Sequence, residues 1–261
     1  LMKGIQLLLV ILMLPLLAWA QKSVNASEII AKISRGEAVS YKNAVIVGDL
    51  DMTKLQNMKQ DKNSNSASKE YTSTVKAPLT FVDCIFKGDV LAYFNPENSG
   101  FLNTSGNEMY KTNFEGDVVF ENCTFEEAAA FKYSAFDGKV SFMSSRFAEE
   151  ALFKYADFEK GVNFSNVRFG GDANFKYVEF PERVSFAGAT FKEEANFKYT
   201  EFERGVNFEK ASFDGTANFK YAEISDSFNV KGARFNGGDD FKYTQLNNRQ
   251  VSLTALREMN R

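Results

Sequence analysis

The sequence predicts an all-β solenoid of stacked coils, about 22 residues to the coil, and two observations predict it. Phe-Lys-Tyr occurs six times, at Phe131, Phe153, Phe175, Phe197, Phe219 and Phe241, each copy 22 residues after the last. A drift-free period of that length marks a chain whose repeats each pack only on their neighbours. Within the period, bulky apolar residues fall alternately five and six apart: Phe153, Phe158, Phe164, Phe169, then Phe175, Phe180, Phe186, Phe191. Four such positions per period imply a coil with four short sides, each sending one large side chain inward.

The register reaches back through Phe131, Phe136, Phe142 and Phe147 to Met109, Phe114, Phe120 and Phe125. It reaches forward through Phe219, Ile224, Val230 and Phe235 to Phe241 and Leu246. Side chains alternate along an extended segment, so the residue two before each large one must also point inward. That residue is small on every side. One side reads Ala129, Ala151, Ala173, Ala195, Ala217, and the next Ser134, Ala156, Val178, Thr200, Ala222. The third reads Val118, Val140, Val162, Val184, Val206, and the fourth Cys123, Ser145, Val167, Ala189, Ala211, Ala233. Large beside small is what a densely packed interior needs. One coil reverses the pair, Phe228 before Val230, a swap that roughly conserves volume. Asp239 breaks the rule before Phe241, where burial should be incomplete.

Here the chain resembles the pentapeptide-repeat family, in particular its phenylalanine-centred members. The likeness is carried by Ala-Asn-Phe-Lys-Tyr at 173–177, 195–199 and 217–221, by Ala-Asp-Phe-Glu-Lys at 156–160 and by Ala-Ser-Phe-Asp-Gly at 211–215. It covers residues 109–246 strongly and 44–91 weakly. The resemblance implies a right-handed quadrilateral β-helix; the chain departs from the family's strict fives by adding a residue at two corners of each coil. It implies no single function, because members of the family do unrelated things.

The ends follow a different logic. Lys3 precedes the apolar run Leu7–Leu17, and Ala18-Trp19-Ala20 is a small-x-small cleavage site, so residues 1–20 read as a secretory signal peptide. No cysteine stands at the cut to take a lipid anchor. The expected location is secreted, periplasmic or on the envelope exterior. Residues 21–43 are expected to form a helical cap, with Asn25 and Glu28 spaced as a capping box, a helix over Ala26–Arg35 and Gly36 as its stop. Such a cap covers the open strand edges of the first coil. Coils are expected over 44–246. Polar insertions near 56–75 and 92–108 interrupt them, the first read as a flexible excursion and the second as a loop punctuated by Pro96, Gly100 and Gly106. Residues 247–261 are left as a C-terminal tail or cap.

If the second insertion is removed from the count, Cys84 and Cys123 lie one above the other. Rung spacing of ~4.8 Å permits a disulfide. In-register neighbours pointing the same way give it poor torsions, so stacked free thiols are the preferred expectation.

Composition excludes more than it assigns. With 34 acidic and 31 basic residues the net charge of −3 is too mild to call for a nucleic acid. No histidine is present, which removes the usual general base, and two cysteines are too few for a zinc site. No catalytic residue, metal ligand or cofactor is expected. A corner cluster of Glu149, Glu150, Asp172, Glu193 and Glu194 resembles no calcium loop. The tripeptides at Asn25, Asn103 and Asn122 match glycosylation acceptors, relevant only in a eukaryotic secretory pathway.

Outward positions hold the candidate site. Lys132, Lys154, Lys176, Lys198, Lys220 and Lys242 should form one ladder, and Tyr133, Tyr155, Tyr177, Tyr199, Tyr221 and Tyr243 another beside it. Asp157, Glu179, Glu201 and Glu223, three positions on, are placed to offset the lysine charge. Two readings stand: a solvated, charge-paired face stiffened by stacked tyrosines, or a binding platform for a sugar, a peptide or another protein. The function expected is an exported non-catalytic scaffold or interaction protein. An extracellular glycan-binding or glycan-processing protein is the alternative. Some relatives mimic DNA and bind topoisomerases, a role that export and the lysine ladder oppose. The expected partner is a protein or glycan rather than nucleic acid, with a second copy docking at a coil end as a further case.

Overall fold

A computed structural model describes residues 21–62, 68–96 and 107–260. The signal peptide expected over 1–20 lies outside them, as does Asn103. Each period folds into one coil because its strands, two residues long, cannot stand alone and pair with the strand one period away. Ala151 lies opposite Ala173, Asp157 opposite Glu179, Val140 opposite Val162 and Arg146 opposite Arg168. Four parallel walls result, of 8, 11, 8 and 9 strands. They are called here the lysine wall (Leu50–Asp51 to Asp239–Asp240), the acidic wall (Lys59–Gln60 to Arg249–Gln250, antiparallel only at its edges), the valine wall (Val39–Lys42 to Phe228–Asn229) and the arginine wall (Lys22–Asn25 to Arg234–Phe235).

The interior is the large-small lattice read from the sequence. Phe153, Phe158, Phe164 and Phe169 are buried, as are their small neighbours Ala151, Ala156, Val162 and Val167. Rings stack coil on coil, Phe153 on Phe175 at 5.1 Å and Phe164 on Phe186 at 4.9 Å. Across the coil they meet edge to face, Phe153 against Phe164 at 78°. Both geometries are favourable for aromatic quadrupoles. The reversed pair Phe228 and Val230 is buried in place. Asp239 is exposed at the last rung.

Corners are of two kinds. Where large residues are five apart, a hydrogen-bonded turn closes the corner, Ser134 N–H donating to the Phe131 carbonyl at 3.2 Å, with positive φ at its third residue. The wider corners take the extra residue.

The two insertions depart from expectation. Ser68–Val75, within the run the sequence read as flexible, is an eight-residue strand paired in register with Asn107–Phe114, which starts at the end of the expected loop 92–108; Gly100 and Gly106 of that loop lie outside the described residues. Lys59–Gln60 adds antiparallel to Ser68–Val75, and Tyr93–Phe94 antiparallel to Asn107–Phe114. These strands form a wing that extends the sheet of the acidic wall. Their pairing explains the order, since each insertion supplies the other with backbone partners. The straight strand also carries Met109 out of the core: it is only half-buried, while Ala92 takes the inward place beneath Phe131. The coil stack also begins earlier than residue 44, because Val39–Lys42 pairs with Leu79–Val82 and Lys22–Asn25 with Ala44–Val47.

Both ends are covered. The N-terminal helix spans Ala26–Ser34, with the Asn25 side chain accepting from the Ser27 N–H and Ile29 and Ile33 buried. A second helix, Leu253–Met259, closes the other end through Leu253 and Leu256. Beyond it, Asn260 Oδ1 accepts from the Val230 N–H and its Nδ2 donates to the Phe228 carbonyl. Those bonds are what a further valine-wall strand would supply. Cys84 and Cys123 are buried free thiols on adjacent rungs, each directed at backbone carbonyls.

Two measurements test this packing. Ala195→Phe forces a ring into a position with no exposure, and should lower stability by about 1–3 kcal/mol or more. Lys198→Phe should be nearly silent in the same melting experiment; equal losses would show inward and outward wrongly assigned. Asn260→Ala leaves a carbonyl and an N–H without partners and should cost roughly 1–2 kcal/mol, with concentration-dependent association by light scattering as the exposed edge recruits other chains. An unchanged melting curve would remove Asn260 from the cap.

Candidate functional site

The lysine and tyrosine columns run up the five-residue corner between the lysine and acidic walls. Phe points inward, Lys is the first turn residue and Tyr the second. In the last four coils the wall residue before each Phe sets up the turn: Asn174, Asn196 and Asn218 accept, through Oδ1, from the backbone N–H of Lys176, Lys198 and Lys220 at 3.2–3.3 Å, and Asp240 from that of Lys242 at 2.9 Å.

Tyr133, Tyr155, Tyr177, Tyr199, Tyr221 and Tyr243 all have φ between 58° and 64°. This left-handed conformation is one that turns ordinarily give to Gly or Asn. Their rings stack continuously at 4.8–4.9 Å, with interplanar angles of 0–4° up to Tyr221. The stack ends at Tyr93, tilted 50° against Tyr133. Tyr177 is 37% exposed. Because each ring face lies on its neighbour, the column offers edges and hydroxyls to solvent.

Each lysine stays by its own tyrosine. Lys154 Nζ is 5.0 Å from the Tyr155 centroid, Lys176 4.8 Å from Tyr177 and Lys198 5.0 Å from Tyr199. Partly buried stems packed along the tyrosine column hold them there. Burial, then the charges of Lys132 and Lys176, depress the Lys154 pKa.

The charge-paired face expected from the sequence does not form. Among the described residues, Lys154, Lys176, Lys198, Lys220 and Lys242 join no ion pair. Asp157, Glu179, Glu201 and Glu223 lie in register with one another on the acidic wall. Burial, followed by the charges of Glu179, Glu223 and Glu203, raises the Glu201 pKa. In-register stacking puts like above like, so the signs separate into columns instead of pairing.

Where the ladder meets the wing, Tyr93, Met109, Lys111, Lys132, Tyr133 and Glu70 line a cleft of about 320 Å³. Lys132 Nζ donates to the Tyr93 hydroxyl at 3.2 Å, and Lys111 pairs with Asp61 and Glu70. Sequence reasoning missed this cleft. Its signal was a second interval: Tyr71 and Tyr110 stand 39 apart, like Cys84 and Cys123, and the two tyrosines stack at 5.0 Å.

At the corner cluster, the Asp172 carboxylate accepts from the Glu194 N–H, and Glu194 accepts from Asn218. Burial, then Asp172, raises the Glu150 pKa. Among the described residues no three such groups are placed to hold a metal ion. Of the other glycosylation tripeptides, Asn25 is the helix cap and Asn122 Nδ2 donates to Asp83.

These features define a four-walled β-helical repeat protein whose surface is organised as ladders. The family model for pentapeptide repeats (9 copies) matches residues 110–157, 153–201 and 197–245, more than half of the sequence. The chain belongs to the pentapeptide-repeat family, and its stack is the right-handed quadrilateral β-helix of that family. Proteins of this family are generally non-catalytic, which is consistent with a scaffold or interaction protein. No curated protein and no solved structure gives a match to it.

The acidic column yields a pH prediction. A carboxyl whose pKa is raised on folding holds its proton better in the folded state, so it disfavours folding above that folded pKa. The penalty fades as pH falls toward the ordinary value of 4.5. Glu201→Gln should therefore raise the melting temperature at neutral pH and leave it nearly unchanged below pH 4.5. A variant that melts like the parent at both pH values would contradict the raised pKa.

Proposed function

We propose that this chain is an exported, non-catalytic interaction scaffold whose recognition surface is the edge formed by its tyrosine and lysine columns. The observation that carries the reading is the tyrosine backbone. A left-handed conformation costs an L-residue roughly 1–2 kcal/mol, and a stacked aromatic pair returns roughly 0.5–1.5 kcal/mol. The two offset, so the column adds little net stability. The diagonal corner makes the same positive-φ turn with Asn122, Ser144, Asn166, Gly188, Lys210 and Gly232. The fold therefore accepts small and polar residues at such a turn. An unbroken tyrosine row is better explained by what it presents than by folding.

Export is supported by the apolar run Leu7–Leu17 and the cleavage site at Ala18-Trp19-Ala20. It places the partner outside the cytoplasm, which weighs against topoisomerase inhibition by DNA mimicry. Glycan processing is the weaker reading, since it needs one carboxylate set apart as acid from another as base or nucleophile, and the acidic column repeats like beside like from rung to rung.

Hot spots cluster at interface centres, so the central pair Tyr177 and Tyr199 is the one to change. Tyr177→Ser with Tyr199→Ser should abolish capture of the native partner from the exterior fraction, with only a modest fall in melting temperature. Identical partners recovered by parent and variant would overturn the reading.

A further inference from the structure

We propose that the occupant of this edge is a linear acidic polysaccharide, a chain of uronic acids laid along the lysine column with one end toward the wing. The inference rests on the platform reading above and names its ligand class.

Charge comes first. Six ammonium groups repeat in register, each held at 4.8–5.5 Å from its own ring. The rings repeat at 4.8–4.9 Å, so the charges do too. Among the described residues, only the Lys132 ammonium of the six hydrogen-bonds to a side chain, the neutral Tyr93 hydroxyl. Lys132 and Lys176 both bear on Lys154, so the column is a cationic line that repels itself although carboxylates run beside it, and an anion laid along it relieves that repulsion.

Hydrogen bonding comes second. On one side of the lysines, Asn174 and Asn196 use Oδ1 on the backbone, leaving their Nδ2 donors for an incoming acceptor. On the other side stand the tyrosine hydroxyls. Asn218 Nδ2 is already given to Glu194, and the acidic column lies beyond the tyrosines, so the donors left on the strip guide an acceptor-rich anion onto the lysine line itself.

Pitch and ring geometry then choose among polyanions. An acidic peptide in extended form places same-side carboxylates two residues apart, about 6.6–6.8 Å, out of step with the rungs. Single-stranded nucleic acid binds chiefly by stacking bases on open aromatic faces. Here every internal face is already covered by the next tyrosine, and the same closure excludes a sugar ring wedged between rungs. A uronic-acid chain needs neither device. It carries carboxylates and hydroxyls along its length, and because successive pyranoses turn over along a linear chain, its same-side carboxylates recur at about every second rung. The 320 Å³ cleft at Tyr93, Lys132 and Tyr133 closes the strip at the wing. There Lys111 is neutralised by Asp61 and Glu70, so the cationic line stops.

The test uses the chain lacking residues 1–20 only if cleavage is confirmed on the secreted protein, and the full chain otherwise. Titrations are made with polygalacturonate, its fully methyl-esterified form, polyphosphate and oligothymidylate. Polygalacturonate should bind, weaken as salt rises, and exceed the other three. Lys154→Gln, Lys176→Gln and Lys198→Gln combined should lose roughly tenfold or more in affinity, as three exposed charge contacts together would. Its melting temperature should be unchanged or higher, since repulsion is relieved, so lost binding cannot be lost folding. Equal binding of the methyl ester, preference for polyphosphate or oligothymidylate, or full affinity in the triple variant would each overturn the proposal. If polygalacturonate fails while a partner is still captured in a Tyr177- and Tyr199-dependent way, the platform stands and the polysaccharide alone is lost.

Discussion

Parallel pairing in exact register is the constraint on which everything else in this molecule depends. Each wall residue sits over its counterpart one period away, so every choice of side chain is made once and then repeated at the rung spacing. Inside, repetition turns phenylalanine into continuous ring stacks. Outside, it turns single residues into columns. Successive tyrosine planes differ by only 0–4° through Tyr221, whereas adjacent strands of ordinary sheets twist by roughly 20–25°. Flat sheets of this kind are held by ladders of stacked side chains, and here both surfaces of each wall supply them.

The same repetition makes the ends vulnerable. A coil of two-residue strands has no partner beyond the last rung except what the termini bring. The helix at Ala26–Ser34 covers one end with Ile29 and Ile33. At the other, Leu256 fills the core while Asn260 imitates a strand with a single side chain. Asp239 completes the device. A carboxylate at the inward position where earlier coils carry alanine makes a seventh Phe-Lys-Tyr coil costly to stack, because a buried charge without a partner is strongly disfavoured. The stack is stopped by sequence as well as covered by helices.

Most of the fold was legible because its signal is translational. Phe153 and Ala151 could be assigned inward from spacing alone, and the fourfold column pattern named all four walls. What spacing could not supply lies where translation breaks. Met109 fits the inward register by count, yet the chain runs straight there into the wing. The polar stretch 68–75 reads as loop by composition, and becomes a strand only because 107–114 offers it eight partners. The site divides in the same way. Both ladders were legible to the residue. The positive φ of the tyrosines was not, since tyrosine is a poor candidate for that conformation, and the cleft required the wing.

Electrostatics shows how far the constraint reaches. In a globular protein, Lys154 and Asp157 would be free to turn toward each other, and counting charges would report a neutral patch. In a rung lattice each must first accommodate the copy above and the copy below. Lysine is held at its tyrosine and aspartate at Glu179, so a chain of net charge −3 presents a cationic line and an anionic line along one corner. Net charge therefore says little about what such a surface attracts. Individual contacts on it are weak and screened within about 8 Å at physiological salt, so a small ligand touching one rung gains little. A ligand that repeats gains the same contact at every rung while ordering itself only once, which is the logic of multivalent binding. The fold thus selects for partners that are themselves periodic.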